Sequence, residues 1–268
     1  DPNSSLSDNS FVRERRARSG ETSVAIHWHE SPANVCDVVV TDFVGDESWF
    51  RAELLGLNQQ PSVPELLANI DPANTLSTWL KKDQEIYFPA TRDIWGELIP
   101  SVLGQRITSR EAALQWRRLY EFTGKLDPER IANLSSADFH TLGIERARAS
   151  VLHVCAKSFD RIQVLNNATV EDAYSQLSSI PGLGPWTLAE TLRRSHGWRD
   201  AVSTGDFHLK KDVVFALTGA RNGSDQQMLE LLEPFRPYRA VVVAAVRAHA
   251  QGHQRHAPGL RTPDIRKL

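Results

Sequence analysis

Apolar and polar positions along the chain change their rhythm twice. Between Thr22 and Leu57 they alternate: Val24, Ile26 and Trp28 fall two apart, and the β-branched run VCDVVVTDFV follows, so two or more strands are predicted. Residues 58–92 carry Pro61, Pro64, Pro72 and Pro89 between short apolar runs and read as short helices and connectors. Beyond Asp93 the spacing turns helical, with Ile94, Leu98, Val102 and Leu103, then Ala113, Trp116, Leu119 and Tyr120 ahead of a C-capping Gly124. Asp127 followed by Pro128 opens another helix, and further helices are predicted over 135–141, 145–159, 170–178, 185–195, 207–218, 224–233 and 237–251. The opening DPNSSLSDNSFVRERRARSG lacks apolar periodicity and reads as a flexible tail whose arginines are solvated. The expected organisation is therefore a tail over 1–20, a small α+β part over 21–90 and a helical domain over 91–268, giving a mostly α fold.

Composition narrows the class. The chain has 268 residues, 41% of them hydrophobic and 24% charged, which suits a folded globular protein and not a disordered one. No stretch reaches the roughly 18 consecutive apolar residues of a membrane span, and the first twenty residues hold no signal-peptide core, so a cytoplasmic protein is expected. Cys36 and Cys155 are too few and too far apart for a disulfide scaffold or a four-cysteine cluster. His27 and His29 alternate on an expected strand without a third ligand of suitable spacing and read as surface histidines. A net charge of -2 argues against coating nucleic acid by bulk charge, yet Arg193, Arg194, Arg199, Lys210 and Lys211 crowd one segment. A second basic cluster runs through Arg236, Arg239 and Arg247 to the C-terminus, so a local basic face is open to the chain.

The most informative stretch is LSSIPGLGPWTLAETLRRSHGW, residues 177–198. One helix should end near Ser179, a Pro181-Gly182-Leu183-Gly184 hairpin follow, and a second helix start at Pro185, whose missing N–H suits the first turn. Gly182 and Gly184 permit positive φ and close approach of another backbone, and the amides at the helix start form a phosphate cradle. Such a hairpin grips DNA backbone without reading sequence. Further along, Asp206 stands 22 residues after Gly184, at the start of an expected helix. There the dipole favours negative charge, and an aspartate also makes a good N-cap, so the local sequence supports both a chemical and a purely structural role.

I-P-G-L-G-P-W-T resembles the helix–hairpin–helix of the DNA glycosylase superfamily, in which an essential Asp follows the second helix. The segments VLGQRIT (102–108), LGIERARA (142–149) and FRPYRA (235–240) are similar to the 3-methyladenine DNA glycosylase II branch, and the resemblance covers residues 93–250. It implies a two-lobed helical fold and an enzyme of base excision repair that flips a damaged, alkylated base out of double-stranded DNA and hydrolyses its N-glycosidic bond. Asp206 would stabilise the sugar cation or orient water. Trp186 would stack on a cationic base, an attraction worth about 0.5–2 kcal/mol. Bifunctional relatives carry a lysine where Trp186 stands, and an indole cannot act as the amine nucleophile, so no lyase activity is expected.

By the same resemblance Gln105, Arg106, Ile107, Gly182, Leu183, Gly184, His208 and Lys210 would contact DNA, with either Arg106 or Ile107 filling the gap in the stack. Glu190 and Arg247 stand where relatives place pocket aromatics, which makes this pocket more polar and keeps a glycosylase for another lesion in play. Tyr238 and Arg239 are expected to pack and pair within the helical domain. A cation at the carbonyls of Gly182 and Gly184, no cofactor, a monomeric state and a place in the bacterial nucleoid complete the expectation. A non-catalytic helix–hairpin–helix DNA-binding module is the reading from a different class, disfavoured because binding alone needs neither Asp206 nor Trp186.

Overall fold

The computed structural model describes the strands within 4–44 and residues 63–249, except 69, 72–74, 83–87, 89 and 125. Four strands, β1 (Ser4–Ser7), β2 (Ser10–Ala17), β3 (Gly20–Glu30) and β4 (Cys36–Val44), form an antiparallel meander in the order β1-β2-β3-β4. The strand content expected over 22–57 is present, with a register irregularity between Ala25 and Ile26. The stretch 1–20 departs from the expected tail. Ser10–Ala17 pairs along its whole length with β3, so its backbone donors and acceptors find partners that a tail would leave to water.

The rest is helical: α1 (Val63–Ala68), α2 (Thr75–Lys82), α3 (Ile94–Leu103), α4 (Ser109–Thr123), α5 (Pro128–Ala132), α6 (Ser136–Thr141), α7 (Arg146–Lys157), α8 (Phe159–Val164), α9 (Val170–Ser178), α10 (Pro185–Ser195), α11 (Leu209–Thr218), α12 (Asp225–Leu232) and α13 (Arg239–His249). The capping chemistry explains the boundaries. Gly124 ends α4 in the left-handed region at φ 65, and Ser135 and Ser224 close capping boxes at the starts of α6 and α12.

Two apolar cores divide these helices into two lobes. One gathers Ile94, Leu98, Leu103, Leu119, Phe139, Leu152, Leu177, Leu188 and Leu192. The other joins Val63, Leu66, Leu76 and Leu80 to Val213, Met228, Leu232, Val242 and Val246. The boundary expected near residue 90 thus falls inside a packing unit, because α1 and α2 bury apolar side chains against the C-terminal helices. Helix α10 serves both lobes, with Leu188 and Leu192 in the first core and Ala189 in the second. Among the described residues, no helix is long and apolar enough to cross a membrane.

Candidate active site

The hairpin forms as its sequence dictates. Helix α9 stops at Ser178, Leu183 N–H donates to Ile180 O (3.2 Å), and α10 begins at Pro185. Gly182 has φ +89, and a Cβ there would sit 2.3 Å from Val151 Cγ2, so the turn lies hard against α7. Gly184 is different: its φ is -80 and nothing lies within 4 Å of a built Cβ. Its outer face is bare.

Leu183 departs from the expected DNA contact. Its side chain is buried in the first core and its N–H is engaged, so it anchors the hairpin from beneath. Gln105 also faces inward, donating to Gly182 O (3.1 Å) and Thr187 Oγ1 (2.9 Å), which ties the end of α3 to the hairpin. The two carbonyls expected to hold a cation accept from Gln105 and, for Gly184, from Leu188 N–H (3.0 Å), which leaves each its second lone pair. Arg106 is exposed with a left-handed backbone (φ 58), whereas Ile107 is half-buried. Strained φ in a non-glycine residue persists where neighbours fix it. At the end of α3 just before this loop, Arg148, buried in α7, donates from Nη1 to Leu103 O at 3.1 Å. Burial lowers the pKa of Arg148.

Asp206 sits at the far side of α10. Its Oδ1 accepts from the backbone N–H groups of His208 (2.8 Å) and Leu209 (2.9 Å) at the start of α11, although the N-cap position itself is His208. Its Oδ2 is turned elsewhere: the Trp186 indole Nε1–H reaches it at 3.4 Å and Arg247 Nη2 at 3.9 Å. The structural and the chemical reading of Asp206 therefore belong to different oxygens of one side chain. The carboxylate is 22% exposed and Arg247 is 40% exposed. The Trp186 ring also lies against Gly104, where a Cβ would meet indole Cη2 at 3.2 Å, so the indole sits between the GQRI loop and Asp206.

Glu190 is neither a solvated helix residue nor a free pocket acid. It is 7% exposed, with Oε1 accepting from Ser203 Oγ at 2.5 Å and Oε2 accepting from Arg193 and Arg194 at 3.1 Å each. Burial alone would raise its pKa, but Arg193, Arg194, Ser203 and Arg247 outweigh it and hold the carboxyl down to about 2. Arg194 continues the network to Glu97 (3.1 Å) and Ser101 (2.7 Å) on α3. Glu190 thus fastens Ser203, whose carbonyl accepts from Asp206 N–H at 3.3 Å, while Asp225 accepts from Gly205 N–H at 2.9 Å.

Other expected residues have different partners. Lys210 is paired with Asp225 at 3.1 Å, which places its charge on the loop support. His208 is exposed, its ring edge-on to Phe207 at 5.0 Å. Arg239 holds Asp200 through contacts of 2.8 and 2.7 Å, and Arg199 lies over the Tyr238 ring, in line with packing and pairing. The side chains of His27 and His29 lie outside the described residues. Among the described residues no cluster of His, Cys, Asp and Glu could hold a metal ion. Two features escaped the sequence reading. Phe207, 58% exposed with Lys211 Nζ 4.2 Å above its ring, was hidden by its place beside Asp206. Arg148 lay in a motif with no role assigned to it.

No family model matches the chain. A curated relative, DNA-3-methyladenine glycosylase 2 of Escherichia coli (strain K12), is 25% identical over 152 residues, 55% of this chain and about half (52%) of the relative's length. The 3-methyladenine DNA-glycosylase of Archaeoglobus fulgidus superposes with a TM-score of 0.72 at 15% identity, covering 92% of this chain and 89% of that one. An 8-oxoguanine glycosylase/lyase of Clostridium acetobutylicum, in complex with double-stranded DNA, superposes at 0.66 with 14% identity over 91% of this chain and 95% of that one. The chain has the fold of these DNA glycosylases. Its two lobes, with the hairpin and Asp206 on either side of the shared α10, are that fold. The similarity to both a 3-methyladenine glycosylase and a glycosylase/lyase leaves the lesion and the lyase question to the chemistry of the site.

Proposed function

We propose that this protein is a monofunctional DNA glycosylase that removes alkylated purine bases from duplex DNA, working as a monomer on the bacterial nucleoid. The bare face of the hairpin at Gly184 grips a phosphate, Arg106 enters the gap left by the flipped nucleotide, and the base stacks on Trp186. The reading rests on one observation: Asp206 is fixed by Oδ1 on the amides of α11 while Oδ2 faces the indole. An oxygen so held meets the positive charge that develops on deoxyribose as the N-glycosidic bond breaks, or orients the attacking water. The reading without lyase chemistry is supported by Trp186 standing where the resemblance places the lysine of bifunctional enzymes, by Lys210 pairing with Asp225 and by Lys211 lying on Phe207.

Asp206→Asn is the direct test, because asparagine still caps a helix. On a duplex bearing 7-methylguanine, base release should fall by at least about 100-fold while duplex binding persists. Borohydride should trap no covalent complex. Unchanged release by the variant, or a trapped complex, would overturn the assignment.

A further inference from the structure

Helix α7 backs two elements that meet DNA in the reading above. Val151 lies under the hairpin, where a Cβ on Gly182 would sit 2.3 Å from its Cγ2. Arg148, three residues earlier and so on the same face of α7, donates from Nη1 to Leu103 O at 3.1 Å. Leu103 is the last residue of α3, and the loop Gly104-Gln105-Arg106-Ile107 follows it. Gln105 ties that loop to the hairpin through Gly182 O and Thr187 Oγ1, and Arg106 stands exposed beyond it. Keeping a cation at position 148 is costly. Its side chain is 6% exposed, its Nε is buried without a hydrogen-bond partner among the described residues, and the nearest carboxylate oxygen, Glu145 Oε2, lies 3.9 Å from Nη2. Glu145 and Glu111 attract the charge, yet burial outweighs both. An apolar side chain of similar volume would fill the same space without that cost, so packing alone does not account for an arginine there.

Resting on the glycosylase reading above and deepening it, we infer that Arg148 is a positioning residue for the wedge. By holding the last carbonyl of α3, it sets the distance between the hairpin that grips phosphate and Arg106, which enters the gap in the base stack. A wedge held at a fixed distance from the gripped phosphate offsets the cost of unstacking, and a loose one does not. Arg148 thus acts on base flipping through Arg106 and touches neither the base nor the sugar.

Single-turnover release of 7-methylguanine compares a lesion paired with cytosine and the same lesion opposite a tetrahydrofuran, where no base pair has to be broken. Arg148→Met leaves Leu103 O without its donor and should slow release from the paired duplex by about tenfold. Release of the unpaired lesion should stay within about twofold of the native rate, because little opening is left for the wedge to drive. A merely structural role would slow both alike, and equal losses overturn the proposal. In an Arg106→Ala background, Arg148→Met should slow the paired duplex by no more than about twofold further, and full additivity overturns the proposal too. A second readout does not depend on excision: 2-aminopurine beside a tetrahydrofuran in a duplex brightens when it is unstacked. Native protein should raise that fluorescence, and Arg148→Met at equal occupancy should lose most of the rise. Should the native protein release no base, the glycosylase reading fails separately, and an undiminished rise with Arg148→Met would then sink the role of Arg148 as well.

Discussion

The two loops that flank α10 are held by opposite means. The hairpin is fixed from beneath by apolar contact, through buried Ile180 and Leu183 and through Gly182 pressed on Val151, and this leaves its outer backbone bare. The loop that carries Asp206 is fixed by polar groups, with Ser203 on Glu190, Gly205 on Asp225 and Asp206 on the amides of α11. Apolar anchorage is indifferent to pH and suits a surface that must accept a partner's backbone. Polar anchorage aims one oxygen, which a chemical step requires, but it depends on the charge of its members.

The largest effect expected from breaking this contrast is at Glu190. Replacing it with leucine leaves the Arg193 and Arg194 guanidinium groups without their shared acceptor, at a cost of about 3 kcal/mol. Urea unfolding measures it, and Ser203→Ala, which removes one neutral hydrogen bond, should cost only about 1 kcal/mol. Equal costs would mean that the ion pairs contribute nothing to the loop's support.

On the apolar side, Gly182→Ala combines positive φ with a Cβ 2.3 Å from Val151, so about 2–3 kcal/mol of destabilisation is expected. Val151→Ala in the same chain should recover the steric part and not the backbone part. Full recovery would show that the turn itself is unstrained.

The far end of α10 extends the contrast to pH. His196 is buried, its Nε2 on Leu165 O (3.1 Å) and its Nδ1 on Ser195 Oγ (2.8 Å), and burial together with Arg92 pushes it down to about 4. The unfolded chain binds this proton near 6.5, so stability is complete above that pH and falls as pH drops from 6.5 towards 4. By pH 5 the loss is about 2 kcal/mol relative to pH 7. Glu190 adds its own loss only below its ordinary 4.5, as pH falls towards 2. Urea unfolding at both pH values should show the first step vanish in His196→Asn.

What the sequence made legible was local. The P-G-L-G-P run set the hairpin and the first turn of α10, Gly124 ended α4, and 170–178 and 185–195 became α9 and α10 with their expected bounds. The indole opposite Asp206 followed from motif spacing. The fates of polar side chains were hidden, because they depend on partners far along the chain: Gln105 meets Gly182, 77 residues away, and Arg194 meets Ser101 across 93. Glu190 and Lys210, expected at the base pocket and the DNA contact, are joined to Ser203 and Asp225 around the Asp206 loop. The pairing of Ser10–Ala17 was hidden too, since a strand rich in arginine shows no apolar period.

The smallest change to the fold should give the cleanest separation of the two loops. Gly184 is the N-cap of α10, with ordinary φ and no neighbour within 4 Å of a built Cβ, so nothing inside the protein requires glycine there. Aspartate is a favoured N-cap residue, and Gly184→Asp should leave stability within about 0.5 kcal/mol of the native chain or raise it slightly. The same carboxylate would occupy the space where a phosphate must come. Duplex binding should therefore weaken by about tenfold at low salt, and the salt dependence should become shallower by about one phosphate contact. Folding intact with binding lost assigns the grip to the bare hairpin. Folding and binding both intact would move the DNA backbone elsewhere, and would leave the apolar anchorage of this loop without a purpose in recognition.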